Sequence, residues 1–372
     1  MANILLGFQS VLMPMNLLVL IGGVMIGMVV GALPGLNDSI TLAVLIPVTF
    51  GMEPQTAMCL LIGIYVSACY GGSIPSILLK IPGTASSVVT AFDGQPMTQQ
   101  GKAGLALSIS TTSSVFGGIM SSLVLLFFSP FLAAQALKFG PPEYLMLAIM
   151  GMSTVVGMAG NAMLKNILVM ALGLLIACIG LTPQAGYPRL TFGNPYLLDG
   201  IPLVPMLIGL FGVSSILELI ETTGGVKNIT EKIQRVHVKM LDKEMCRRLL
   251  PTWMQSGIIG TLIGVIPGAG MIMAIYLAYD QARRANPDKE FGTGVPEGVA
   301  APETANNAVV ASSMVPLLAL GVPGNATSAL FLGALMIQGL RPGPALYRDY
   351  PELAYLIVVG FLIANIFMLP MG

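Results

Sequence analysis

The sequence predicts an all-α polytopic membrane protein made of two inverted repeats, with Pro-Gly-broken or re-entrant helices and roughly 10–12 membrane segments. Three observations predict it. The 372 residues are 55% hydrophobic and only 9% charged, whereas a soluble domain carries about 25% charged residues. The charges avoid the long apolar runs. A two-part Pro-Gly motif occurs twice, in the same order.

The runs Val11–Leu33, Ala57–Leu79, Tyr144–Gly160, Lys165–Leu181, Ile201–Glu218 and Leu353–Leu369 each approach the ~20 residues that cross a bilayer as helix. Strands of an outer-membrane barrel would alternate over ~10-residue segments, and the chain shows no such alternation. Formal net charge is zero, so no nucleic-acid partner is implied. Cys59, Cys69, Cys178 and Cys246 are too scattered for a disulfide framework or zinc site and read as small core residues. His237 stands alone in a charged loop and reads as solvated. The first apolar run is long and follows no basic stretch, so no cleaved signal peptide is expected.

Lys and Arg are unevenly placed. None precedes Lys80, seven fall between Lys227 and Arg248, and Arg283, Arg284 and Lys289 follow. The positive-inside rule puts Gly224–Leu250 and Gln281–Gly294 in the cytoplasm. A sequon at Asn228-Ile229-Thr230 is meaningless on that side. Pro251–Asp280 is long enough to cross, yet basic residues flank both ends. A turn at Ile266-Pro267-Gly268 keeps both clusters inside. Proline removes a donor and glycine permits positive φ, which suits a re-entrant or broken helix.

The repeat is specific. Ile26-Gly27-x-x-x-Gly31-x-x-Pro34-Gly35 matches Ile259-Gly260-x-x-x-Gly264-x-x-Pro267-Gly268 at every specified position. Downstream, Pro75-x6-Pro82-Gly83-Thr84-Ala85-Ser86-Ser87 matches Pro316-x6-Pro323-Gly324-Asn325-Ala326-Thr327-Ser328. Copy one has no Lys or Arg before Lys80, as expected if its first hairpin opens away from the cytoplasm, while that of copy two opens inward.

Paired interruptions at corresponding positions point to a transporter's binding site. Unwinding frees backbone groups, which membrane depth tolerates only when they are buried or line a polar cavity. A half-helix starting at a break aims its N–H groups and positive dipole end there, which suits a carboxylate. Freed carbonyls suit a cation such as sodium. Polar residues gather at the breaks: Asn37, Asp38 and Ser39 at the first, Thr84, Ser86 and Ser87 at the second, Asn325, Thr327 and Ser328 at the fourth. They either face substrate or repair freed backbone locally. Glu303, Asn306 and Asn307 share one face if their stretch is helical; ion binding and an interfacial helix start are both open. Lys80 either meets an anion or snorkels to the interface.

Gly31-Ala32-Leu33-Pro34-Gly35, Tyr70-Gly71-Gly72-Ser73 with Ile81-Pro82-Gly83, and Glu297-Gly298-Val299-Ala300-Ala301-Pro302-Glu303-x-Ala305-Asn306-Asn307 with Gly321-Val322-Pro323-Gly324 resemble the large membrane subunit of the tripartite tricarboxylate transporters, the TctA family. The likeness runs from about Leu5 to the end of the chain. It implies a bacterial inner-membrane, multi-pass importer coupled to Na+ or H+, with a small four-helix membrane subunit and a periplasmic solute-binding protein as partners. Carried over by position, it puts the binding region at Pro34-Gly35, Pro82-Gly83, Pro267-Gly268, Asn306-Asn307 and Pro323-Gly324. Asn37-Asp38 stand where the resemblance implies small residues, and Lys80 where it implies a neutral one. Family members continue beyond the apolar run Tyr355–Gly372, so C-terminal helices are expected to be missing here.

The expected organisation is a first repeat core over 1–140, connecting transmembrane helices over 141–222, a cytoplasmic linker helix over 223–250 and a second repeat core over 251–372. The expected function is import of citrate-like di- and tricarboxylates by alternating access, with a stand-alone organic-anion carrier as the alternative. Substrate-binding candidates are Gly83, Thr84, Ser86, Ser87, Gly324, Asn325, Thr327, Ser328 and Asn37. Cation-binding candidates are Pro34, Gly35, Pro267, Gly268, Asn306 and Asn307. No organic cofactor is expected, nor any metal beyond a coupling sodium ion. An enzyme is not expected: an intramembrane hydrolase needs a nucleophile–base pair or an H-E-x-x-H zinc motif, and a single loop histidine supplies neither.

Overall fold

The computed structural model describes residues 2–33, 36–157, 163–182, 186–202, 205–206, 208–213, 217 and 241–372. Pro34, Gly35 and most of the expected linker, with His237 and the sequon, lie outside the described residues. The described part is helical, apart from a two-stranded antiparallel ribbon pairing Gly180–Leu181 with Pro188–Arg189. Among the described residues, four helical stretches are long and apolar enough to cross a membrane: Pro14–Gly31, Pro54–Leu79, Ala103–Ala136 and Pro351–Met371.

After α1 (Ala2–Val11), α2 (Pro14–Gly31) runs to the first break. Asn37 then caps α3 (Asp38–Leu45), accepting from the Ile40 amide at 2.8 Å. A 3-10 turn (Ile46–Thr49) leads to α4 (Pro54–Gly71). The Thr56 hydroxyl donates to Asn16 Oδ1 at 2.7 Å, so α4 starts beside the start of α2. The two therefore run parallel, and α3 returns the chain to the side it came from. Glycine makes the contact close: a Cβ on Gly23, Gly27 or Gly31 would meet the carbonyls of Leu60, Ile64 and Ala68. Such small-residue faces let helix backbones approach in membranes.

Helix α5 (Ser73–Leu79) ends at Lys80, which is exposed and left-handed (φ 58°), and the chain folds back until the Gly83 amide donates to the Gly72 carbonyl at 3.1 Å. Helix α6 (Thr90–Gln99) and the 34-residue α7 (Ala103–Ala136) complete the first unit. Helix α7 is not among the apolar runs expected from the sequence, although it holds a window as apolar as that of α2; hydroxyls crowd its first half from Ser108 to Ser122. They are affordable at depth because several donate to carbonyls about one turn back, as Ser108 does to Gly104 and Ser122 to Gly118. Helices α8 (Pro141–Gly157) and α9 (Met163–Ala177) follow, with apolar outward residues such as Leu145, Met146, Leu164 and Leu168.

The second unit repeats the pattern. Helix α10 (Lys243–Val265) begins inside the stretch assigned to the linker, capped by Asp242. It stops at Pro267-Gly268, where Gly268 takes φ 81°, and α11 (Gly270–Ala285) turns back, as the flanking charges predict. Helix α12 (Pro296–Ser312) then runs parallel to α10 through the center of the molecule, every residue but its first buried. A Cβ on Gly260 or Gly264 would meet Ala305 or Val309 and Ser312, the counterparts of Ile64, Ala68 and Gly71. Helix α13 (Met314–Leu320) ends at left-handed Gly321 (φ 75°), as α5 ends at Lys80. The Ile81 and Val322 amides donate to the Pro75 and Pro316 carbonyls, both at 3.3 Å. Helices α14 (Ala326–Ile337), α15 (Pro344–Asp349) and α16 (Pro351–Met371) end the chain.

Reciprocal contacts give the relative orientation. Just past α6, Gln100 donates to the Thr293 carbonyl at 2.6 Å, in the loop joining α11 to α12. Just past α14, Gln338 donates to the Thr49 carbonyl at 3.1 Å, in the loop joining α3 to α4. The helix that follows the second break of each unit thus ends against the other unit's joining loop, as inverted units would place it. At the first contact Asp93 of α6 is fully buried: Oδ1 accepts from the amides of Gly292, Gly294 and Val295 at 2.8–2.9 Å, and Oδ2 from the Tyr279 hydroxyl at 2.8 Å. Nearby Glu297 accepts from Arg248 at 2.7 and 3.0 Å and from Lys289 at 2.6 Å.

Candidate functional site

A cavity of about 820 Å³ lies where the breaks meet. Its wall includes Asn37, Asp38 and Ser39 after the first break, Ala85 and Ser86 after the second, Pro267 to Ile272 at the third and Val322 to Thr327 at the fourth. Residues of α8 and α9, among them Leu147, Met152 and Met170, close one side. The N-termini of α3, α11 and α14 converge on this space, each bringing a positive dipole end, with the amides that open α3 already held by Asn37 and by the Asp38 carboxylate. Among the described residues the wall contains no Lys, Arg or His. An anion would be met by helix ends and neutral donors.

The third and fourth breaks are joined directly, the Gly268 amide donating to the Gly324 carbonyl at 2.7 Å. Asn325 caps α14: its Oδ1 accepts from the Ser328 amide and its own amide donates to Ser328 Oγ, both at 2.8 Å. Its Nδ2 donates to the Tyr65 hydroxyl at 2.9 Å. Thr84 and Ser87 form the matching box, with the Thr84 amide 3.3 Å from Ser87 Oγ. Thr84, Ser87 and Ser328 are therefore occupied in repairing the breaks, whereas Asn37, Ser86, Gly324, Asn325 and Thr327 border the cavity. Gly83 is used for close packing, where a Cβ would meet the Gly31 carbonyl. Pro34 and Gly35 fall outside the described residues.

Asp38 is the carboxylate in the described cavity wall and is not among the candidates expected from the sequence. It accepts from Thr327 Oγ1 at 2.5 Å, and Thr327 also contacts Ser39 Oγ at 2.7 Å, which ties the first break to the fourth across the repeat boundary. The signal was its position in the first turn of a helix, where a carboxylate suits the dipole.

Asn306 and Asn307 lie not in the cavity wall but in α12, fully buried. Asn306 Nδ2 donates to the Cys69 carbonyl at 3.2 Å, and Cys69 Sγ lies 4.0 Å from the sulfur of Met271, a cavity residue. Among the described residues, Asn306 Oδ1 and both side-chain polar atoms of Asn307 have no hydrogen-bond partner. One turn back, the buried Glu303 carboxylate accepts at Oε1 from Ser73 and Thr90, both at 2.5 Å, and at Oε2 from Ser110 at 2.9 Å and Ser114 at 2.8 Å. These hydroxyls come from α5, α6 and α7, positions no sequence spacing connects.

Comparison with known proteins places the chain. It is 38% identical over 368 residues, 99% of its length and 73% of the relative's, to an uncharacterized 52.8 kDa protein in the TAR-I ttuC' 3' region of Agrobacterium vitis. It is 40% identical over 110 residues, 29% of its length and 46% of the relative's, to an uncharacterized protein in the TAR-II ttuC' 3' region of the same organism. No solved structure matches it. With residues 17–372 matching the description "Tripartite tricarboxylate transporter TctA family", the chain belongs to that family.

Proposed function

We propose that the chain is the permease of a binding-protein-dependent importer of citrate-like di- and tricarboxylates, driven by a cation gradient. Family membership makes it a multi-pass membrane subunit of a tricarboxylate transporter. One observation supports the finer reading above others: three helix N-termini converge on a cavity with no basic side chain in its described wall. Helix ends and neutral donors hold a carboxylate without a fixed counter-charge that would have to be broken for release. Gly324, Asn325, Thr327, Ser86 and Asn37 are the substrate contacts in this reading, with Gly83, Thr84, Ser87 and Ser328 holding the breaks in shape around them. Inverted units built on broken helices support alternating access by one unit rocking against the other. The partners are a small membrane subunit and a periplasmic solute-binding protein, and the location is a bacterial inner membrane. The protein is a carrier and not an enzyme.

The test is uptake of radiolabelled citrate and other di- and tricarboxylates into proteoliposomes, with and without a cation gradient, the small subunit and the binding protein. Uptake that needs the gradient and both partners is expected. Uptake by this chain alone would replace the reading with a stand-alone carrier. Asn325→Ala should lower uptake at least several-fold; unchanged uptake removes it as a substrate contact.

A further inference from the structure

We infer that Glu303, with the four hydroxyls around it, is a reversible proton-binding site and carries the proton that accompanies substrate. The inference rests on the transport reading and names its coupling ion.

The observation is a carboxyl group fully buried in the central helix and solvated only by hydroxyls: Ser73 and Thr90 on one oxygen, Ser110 and Ser114 on the other. No Lys, Arg or His among the described residues pairs with it. A buried charge normally needs an opposite charge beside it. Glu297, six residues earlier on the same helix, has two such partners in Arg248 and Lys289. Glu303 has none, and hydroxyls are the donors that make this workable, because each is donor and acceptor at once. With the carboxylate charged, all four donate to it. When a proton arrives, one hydroxyl turns its lone pair to the new O–H and the other three keep donating. Both forms are hydrogen-bonded with no backbone movement. Amide or guanidinium donors would allow only the charged form.

The arrangement also discriminates between cations. An alkali ion needs oxygens converging on one point, whereas these four divide into pairs on different carboxylate oxygens. The titratable groups facing Glu303 are Cys69 and Tyr70 of α4, and α5 and α7 carry none. α6 brings Asp93, held by backbone amides. α10 carries its charges, Lys243 to Arg248, at its start. α11 brings Tyr276, Tyr279 and Asp280, the last paired with Arg283 and Arg284. None of these supplies a fixed positive charge at Glu303.

Hydroxyls also stand between α5 and the cavity. Ser76, one turn after Ser73 on α5, donates to Ser87 at 2.8 Å; Ser87 donates to the Thr84 carbonyl at 2.8 Å; Thr84 lies 3.1 Å from Ser86, which borders the cavity. Asn306, whose Nδ2 donates to the Cys69 carbonyl, and Asn307 lie along the same helix. These are polar groups between the carboxyl and the substrate space, where a proton must travel if the two loads are coupled.

The first measurement needs no substrate. Infrared difference spectra of the purified full chain between acid and neutral pH should contain a protonated-carboxyl C=O band that is lost in Glu303→Gln and unaffected by sodium. Absence of the band, or its persistence in E303Q, overturns the site. The second measurement uses proteoliposomes holding the transporter with its partners. Wild type should exchange citrate and accumulate it on a proton gradient. E303Q should retain exchange, which also reports that it folds, while losing at least tenfold of the proton-driven accumulation; Glu303→Asp should recover part of it. Accumulation by E303Q equal to wild type, or wild-type uptake driven by sodium with no proton movement, overturns the coupling role. Failure of wild type to exchange any carboxylate refutes the transport reading instead, and the infrared arm still reads the carboxyl by itself.

Discussion

Removing the Asp93 carboxylate should separate the two inverted units where α6 meets the loop before α12. Four donors converge on this side chain, three backbone amides on Oδ1 and the Tyr279 hydroxyl on Oδ2. A hydrogen bond to a charged group contributes about 1.5–3 kcal/mol net. Counting all four at the low end gives about 6 kcal/mol for Asp93→Ala, and sharing of one acceptor and relaxation of the loop reduce this to roughly 3–5 kcal/mol. Asp93→Asn keeps an oxygen for the three amides and loses only charge assistance, so it should cost about 1–2 kcal/mol. The assay is thermal unfolding in detergent together with protease nicking of the 286–295 loop. The expected order is wild type, then D93N, then D93A, with nicking fastest in D93A. Equal melting of D93A and wild type would refute the claim that this carboxylate holds the units together.

Other outcomes follow from the same geometry. Gly264→Ala places a methyl against Ser312 Oγ and the Val309 backbone, and should destabilise by about 1–3 kcal/mol, read as a lower melting temperature; Gly22→Ala, with open space around it, is the control that should not. Burial pushes the Glu297 carboxyl up, but the hydrogen bonds from Arg248 and Lys289 outweigh it and hold the group below its usual range. Because the folded-state value is the depressed one, this pairing stabilises above the ordinary glutamate range, near pH 4.5, and the contribution is lost as pH falls through the folded value. A melting-temperature profile should show that acid-side loss in wild type and a smaller one in Glu297→Gln. A water-soluble maleimide should modify exposed Cys178 and spare buried Cys59 and Cys69, checked by mass spectrometry after labelling in detergent.

What was legible in the sequence is what backbone chemistry forces onto it. A reversal inside the membrane needs a residue without a donor followed by one that tolerates positive φ, so Pro267-Gly268 betrayed its turn, and the basic residues at either end gave its sense. The hydroxyls and amides after the breaks were legible as polar, but their division of labor was not. Thr84 and Asn325 look alike as a Pro-Gly-x position; only the fold sets Asn325 on the cavity wall and leaves Thr84 behind it. Glu303 could be noticed but not understood, because its four partners sit at Ser73, Thr90, Ser110 and Ser114 on three other helices.

The two units keep the same helix contacts although eight more residues separate Pro267 from Pro316 than separate Pro34 from Pro75. The difference falls between the break and the parallel helix: the returning helix has 16 residues in α11 against 8 in α3, and the connection after it covers 286–295 against 46–53. That stretch is thus an adjustable spacer: chain can be added there without disturbing how the long helices mesh. In copy two the added length carries the loop that grips Asp93 of the opposite unit. The longer return in copy two is thus also a hold on the opposite unit.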